Sequence, residues 1–162
     1  MTSVASIVGA LRARVRGTVS ADASLAPYTT FRVGGPADVL VEAEDADDLR
    51  SVAEIAEGRI PIAIVGRGSN LLVSDEGFRG IAVRLGRGFR RHEVDGVRMR
   101  LGGAVPLPAA ARLSARAGLE GFEFAAEIPA TFGGAVMMNA GLGGSGTWIN
   151  GKYVHPSPLE AD

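Results

Sequence analysis

A chain of 162 residues with 46% hydrophobic and 22% charged side chains can bury a core, which excludes wholesale disorder and allows one ordinary domain or two small ones. Its 17 Lys and Arg against 18 Asp and Glu leave a net charge of −1, so no global field draws it to nucleic acid or to a membrane, and phosphate binding must be local. The absence of cysteine excludes disulfides, thiolate metal sites and thiol nucleophiles.

Val4, Ile7, Val8, Leu11 and Val15 fall at helical spacing behind Thr2 or Ser3 as a cap, which predicts a short amphipathic packing helix. The same stretch interleaves Arg12, Arg14 and Arg16 and lacks the continuous apolar core of a signal peptide, and no segment approaches the roughly 20 apolar residues of a membrane span. A soluble, cytoplasmic protein is expected. Tyr28 to Val33 reads as a strand closed by Gly34-Gly35-Pro36, and Ala37 to Ala43 as the next strand.

Asp45 is placed to cap a helix whose apolar face is Leu49, Val52, Ala53 and Ala56 and whose stop is Gly58. Ile60 to Val65 is rich in β-branched residues, as a strand buried on both faces needs to be. Residues 37–65 thus read as a βαβ unit with parallel strands and a right-handed crossover. That unit delivers Gly66-Arg67-Gly68-Ser69-Asn70 to the carboxyl end of a parallel strand, where α/β sheets bind ligands. Two glycines allow positive φ and close backbone approach, so that successive N–H groups can converge on an anion. The motif is neither a Rossmann fingerprint, which needs a third glycine at Leu71 and a helix after it, nor a P-loop. Leu71-Leu72-Val73 reads as another strand, and a plain glycine turn between two core strands fits the same residues.

Ile81 to Leu85 is a further strand. Arg91 to Leu101, with Asp95-Gly96 at its middle, predicts a hairpin through a type I′ turn. Pro106 to Gly118 reads as an Ala-rich helix. The stretch from Gly121 to Gly141 mixes Gly, Pro, Thr and Asn with large apolar groups and reads as a loop shaped to a flat apolar ligand with polar edges. Glycines also cluster at 66–68, 77–88, 102–103, 133–134 and 141–146. Leu142 to Asp162 changes character: it holds the only Trp, Trp148, and the only lysine, Lys152. The expected division is 1–20 helix, 21–86 first subdomain, 87–144 second subdomain and 145–162 divergent tail.

Among single residues, the arginines from Arg84 to Arg100 suit a solvated face as well as attraction of phosphates. Arg32 suits a strand-end ion pair as well as a brace for the loops. Glu123 and Glu127 lack the surroundings of an acid/base pair. Met137-Met138 suits core or ligand wall. His92 reads as a surface residue, and His155 has no metal-ligating neighbour, so no metal site is expected.

Three stretches, Thr29 to Ala37, Gly66 to Asp75, and Gly118 to Gly141, resemble the UDP-N-acetylenolpyruvoylglucosamine reductase family, the MurB-type UDP-N-acetylmuramate dehydrogenases of peptidoglycan precursor synthesis. The resemblance covers roughly residues 20 to 144. It implies a fold that is α/β and α+β, an FAD-binding domain of the vanillyl-alcohol-oxidase (PCMH) type. A small parallel βαβ subdomain would be followed by an incomplete antiparallel one with a helix. It also implies that Gly66, Arg67, Gly68, Ser69, Asn70 and Leu71 hold the FAD pyrophosphate, and that Ile128, Pro129, Thr131, Gly133, Gly134, Met138 and Asn139 line the rest of the FAD path. In the family, NADPH reduces FAD, the flavin reduces the enolpyruvyl double bond, and a serine general acid acts with an arginine and a glutamate.

Those three groups lie beyond the matched region, so the resemblance implies a truncated flavin-binding portion that is inactive alone. A non-catalytic flavin- or nucleotide-binding module, self-associating through surface left by the missing half, is the alternative. A different flavin oxidase of the same fold is a third reading, without covalent flavin since Cys is absent and neither His sits in a matched motif. Ala130 stands where the family usually has glycine, which would crowd the backbone if φ is positive there. Leu142-Gly143-Gly144-Ser145 replaces the family's usual continuation, which weighs against Ser145 as proton donor.

Overall fold

Ser3 accepts a hydrogen bond from Ser6 N–H through its hydroxyl and starts helix α1, Val4–Arg14, as the spacing requires. The computed structural model describes residues 3–141 and the short strands at 147–149 and 152–154. Inter-residue contacts divide the chain into Met1–Phe89 and Arg90–Asp162.

In the first unit, α1 buries Ile7, Val8 and Leu11, each worth roughly 1.5–3 kcal/mol if fully withdrawn from water. The chain then forms β1, Thr18–Ser24, and β2, Pro36–Ala43, paired antiparallel from Thr18↔Glu42 to Ser24↔Pro36. Helix α2, Ala46–Ala56, follows with Asp45 as its cap, and its chain exit passes through Glu57 and Gly58, both at positive φ. Strands β3, Ile62–Ile64, and β4, Phe78–Leu85, complete a sheet in the order β1-β2-β4-β3. β4 is parallel to both β2 and β3. Val39, Val41, Ile81 and Val83 pack on the side of α1 and α2, while Leu40, Ala82 and Val65 pack with Leu25 and Tyr28 in a second cluster.

The frame of this unit is tied by one carboxylate. Asp48, 1% exposed, accepts from the backbone N–H of Arg16 at 2.8 Å, Gly17 at 3.0 Å and Glu44 at 2.8 Å. Three chain segments meet on its two oxygens, and none of these N–H groups has another acceptor among the described residues.

One strand is unanticipated, and three expectations need correction here. Thr18–Ser24 is a strand although its small, mostly exposed residues carry little strand signal. Tyr28 to Val33 is not a strand: a 3-10 helix, Ala26–Tyr28, leads into a turn in which Arg32 takes φ 55°. The buried Thr29 hydroxyl holds this turn, reaching the carbonyls of Ala26 and Val33 and accepting from Val33 N–H. Ile60–Val65 is not buried on both faces, because β4 takes the central place and leaves β3 at the edge with Ile62 and Ile64 42% and 61% exposed. Leu71 to Val73 forms no strand, since the central position it would need is filled by Phe78–Leu85.

In the second unit, β5, His92–Asp95, and β6, Arg98–Leu101, form the expected hairpin. Asp95 pairs with Arg98, so the turn residues are Gly96 and Val97, and of these only Gly96 has positive φ, 57°. That is the pattern of a type II′ turn, not type I′. Helix α3, Leu107–Arg116, ends near Gly118, which has φ 70°. The stretch expected to be irregular contains a 3-10 helix, Glu123–Glu127, and helix α4, Phe132–Met137. The core of this unit gathers Leu107, Ala111, Ala125, Ile128 and Ala135, with Phe122 and Phe124 edge to face at 5.6 Å. Beyond it, β7, Thr147–Ile149, pairs antiparallel with β8, Lys152–Val154. Ser145 and His155 lie outside the described residues.

Candidate functional site

The loop after β3 combines a tight brace with free donors. Gly68 is buried at φ 66°, and a Cβ on it would fall onto the Tyr28 carbonyl oxygen and lie 2.8 Å from Thr29 Cα. Its own carbonyl accepts from Thr30 N–H at 3.2 Å. Further along, Ser74 O accepts from Gly35 N–H at 2.8 Å and Gly77 N–H at 2.9 Å. The turn at 29–35 and the loop at 66–77 therefore clasp each other through backbone, which only residues without a Cβ permit at Gly68.

All these loop contacts use carbonyl oxygens or apolar surface. Among the described residues, no backbone N–H from Gly66 through Val73 donates to a protein acceptor. Val65 N–H, one residue earlier, still donates to Val83 O at 2.7 Å, so the ladder stops where the free donors start. Ser69, Asn70 and Arg67 are exposed on this loop, while Gly66 and Leu71 are half-buried and Leu71 packs against the second core cluster. A run of unengaged N–H groups at the carboxyl end of a parallel strand is a set of donors without acceptors, suited chemically to phosphate oxygens. The residues present fit a pyrophosphate.

The expected partner stretch, taken within its own unit, is built differently. Thr131 pairs with Pro106 in an isolated bridge, and Leu107 N–H donates to Ala130 O at 2.9 Å. The first donors of α4 are all used: Phe132 N–H goes to Val105 O at 2.8 Å, Gly133 N–H to Gly103 O at 3.0 Å and Gly134 N–H to the Thr131 hydroxyl at 3.2 Å. Gly133 packs closely on the neighbouring backbone, where a Cβ would sit a tight 3.1 Å from Gly103 Cα. Ala130 is not among the residues at positive φ, so its methyl brings no strain at the position where glycine was expected. Ile128 is buried in the core, Pro129 is exposed, and the segment ends in a surface of Met137, Met138 and Asn139, the last at φ 44°. This stretch offers apolar wall and side-chain edges, not a phosphate-binding helix terminus.

Of the charged candidates, Arg100 faces Glu93 at 3.5 Å and Arg84 faces Glu42 at 3.9 Å, while Arg32 and Arg67 have no ion-pair partner among the described residues. Glu123 and Glu127 end the 3-10 helix and are both exposed. Asp45 is held below the usual carboxylate range, chiefly by the backbone N–H of Asp48, with burial opposing and Arg16 assisting. Sequence reasoning gave no site role to Tyr28 or Thr29, whose backbone shapes Gly68; the Thr29-Thr30 pair beside a double glycine was the available signal.

Comparison with known proteins adds independent findings. The model of the family described as FAD binding domain matches residues 37–153. A UDP-N-acetylenolpyruvoylglucosamine reductase from a Caulobacter species is 48% identical over 134 residues, 82% of this chain and 44% of that protein. The reductase of Halalkalibacterium halodurans is 44% identical over 140 residues, 86% of this chain and 46% of that protein. The chain thus spans a little under half the length of these curated relatives. The crystal structure of UDP-N-acetylenolpyruvylglucosamine reductase from Thermus caldophilus superposes with a TM-score of 0.64 at 34% identity, covering 87% of this chain and 53% of that one. No helix among the described residues is long and apolar enough to cross a membrane.

Proposed function

Since the chain belongs to the FAD binding domain family and is homologous to the FAD-binding half of UDP-N-acetylenolpyruvoylglucosamine reductases, we propose that it holds the FAD of such a reductase, with Gly66–Leu71 seating the pyrophosphate. The observation that carries this reading is the run of unengaged N–H groups from Gly66 through Val73 behind β3. Ser69 and Asn70 add side-chain donors at the same place, and Gly68 fixes the curvature by resting on the Tyr28 carbonyl. Ile128, Pro129, Thr131, Gly133, Gly134, Met138 and Asn139 contribute apolar wall and a shaped backbone for the remainder of the cofactor. When bound, FAD supplies a hydride carrier between NADPH and the enolpyruvyl double bond of UDP-N-acetylglucosamine enolpyruvate, the reaction that yields UDP-N-acetylmuramate. The chain's own residues bind and orient the cofactor. The family's serine, arginine and glutamate align beyond the stretch that carries the resemblance, and this stretch alone is expected not to turn over.

The test is direct. Purified protein is expected to be yellow or to quench added FAD fluorescence, and Gly68→Arg to abolish both while the far-UV circular dichroism persists. Colourless protein that ignores added FAD would sink the reading. NADPH oxidation dependent on enolpyruvyl-UDP-N-acetylglucosamine would instead show that this stretch suffices for catalysis.

A further inference from the structure

The sheet face that carries Leu40 and Ala82 ends, at the carboxyl side of β2 and β4, in the register pair Glu42↔Arg84. Alternation along each strand brings Glu42 to the face of Leu40 and Arg84 to the face of Ala82. Arg84 is therefore the next residue of β4 after Val83, whose carbonyl accepts from Val65 N–H immediately before the Gly66 loop.

The state of this guanidinium is unusual. Its Cζ lies 4.3 Å from the centroid of the Tyr28 ring, within cation–π range. Its Nη1 is 3.9 Å from Glu42 Oε1, at the limit of an ion pair. Its Nε is buried with no hydrogen-bond partner, and the side chain as a whole is 28% exposed. A buried donor left unpaired is a cost with no return inside the chain. The stack on Tyr28 fixes the charge in place, and Tyr28 is the residue whose carbonyl abuts Gly68. Arg84, Tyr28 and Gly68 are consecutive links in one contact chain.

We infer that Arg84 is a positioning residue for the anion loop: a pre-oriented positive charge, stacked on Tyr28, that raises the affinity of Gly66–Val73 for the diphosphate of a dinucleotide. The inference rests on the reading of that loop as the pyrophosphate seat. Arg67 is the obvious alternative source of charge, yet it is exposed, so solvent screens it and ordering its long side chain costs entropy. A half-buried guanidinium already held in one orientation is screened less. Glu42 opposes it by partial neutralisation.

FAD titrations followed by flavin fluorescence at several salt concentrations decide the matter. Arg84→Met is expected to weaken FAD binding about tenfold at low salt and to flatten its salt dependence, whereas Arg84→Lys stays within about threefold of wild type because the charge remains. Glu42→Gln is expected to tighten FAD about twofold to threefold, a gain that damage to the fold does not produce and that decides the question if Arg84→Met fails to fold. Equal losses in Arg84→Met and Arg84→Lys, an unchanged salt dependence, or no tightening in Glu42→Gln would make Arg84 a packing post and overturn the inference. Wild-type protein that binds no FAD at any salt brings down the loop reading and this inference together; wild-type binding with an unaffected Arg84→Met removes this inference alone.

Discussion

The two glycine-bearing stretches, Gly66–Val73 and Ile128–Asn139, look alike on paper and spend their backbones in opposite ways. In the first, the carbonyls and the apolar side chains hold the loop in place and the N–H groups face no protein acceptor. In the second, the N–H groups of Phe132, Gly133 and Gly134 are consumed by Val105, Gly103 and Thr131. Gly68 serves a left-handed turn against a carbonyl; Gly133 serves close packing against Gly103. The lesson is that a glycine cluster marks backbone proximity, and only the hydrogen-bond ledger tells whether the proximity is to a ligand or to more backbone.

The strongest way to break this contrast is Gly68→Ala. The new methyl meets the Tyr28 carbonyl and occupies φ 66°, so the loop must move; FAD affinity is expected to fall at least about a hundredfold, equivalent to roughly 3 kcal/mol. Retention of wild-type affinity in a fluorescence titration would mean that the loop geometry is not what holds the cofactor. Asp48→Ala sharpens the contrast from the other side, because it strips the carboxylate from three backbone donors away from the loop. It is expected to cost about 2–4 kcal/mol in urea denaturation while folded protein keeps its FAD affinity.

Thr131→Ala removes the hydroxyl that caps α4 and should cost about 1 kcal/mol of stability; a loss of FAD affinity without that loss of stability would mean the hydroxyl serves the ligand and not the helix. The smallest effect belongs to Asp45. Its folded-state acidity is strengthened by the Asp48 N–H, so its contribution to stability is present above the unfolded carboxylate pKa of about 3.9 and is lost as pH falls through the lower folded value. Asp45→Asn should accordingly flatten the most acidic limb of a stability–pH curve and leave neutral pH with only the change in cap strength.

Much of the first unit was legible because its chemistry is local. Asp45 before Asp47-Asp48 announces a helix start, the apolar spacing of α1 repeats at 3.6 residues, and β2 and β4 carry continuous apolar runs buried on both faces. β1 was illegible because an edge strand with small, exposed residues has no buried face to write into the sequence. Tyr28 to Val33 misled because β-branched and aromatic residues raise strand propensity even where Thr29 bonds its own turn. α4 was hidden by Gly133-Gly134, which lower helix propensity while Thr131 supplies the cap. The position of the loop was readable from the βαβ pattern. Its unengaged donors were not, since whether an N–H is free depends on residues far away in sequence.

The strand order β1-β2-β4-β3 also governs how the site comes into being during synthesis. β4 is the last of the four strands to be made and the one that sits between β2 and β3, so neither neighbour can complete its ladder until Leu85 has emerged. The Gly66 loop is the connection that β4 must carry across to take its place. Assembly of the sheet interior is therefore a late event: a nascent chain stopped before Phe78 would hold every residue of the loop and of its clasp, yet lack the Val83 carbonyl that anchors Val65 N–H where the loop begins.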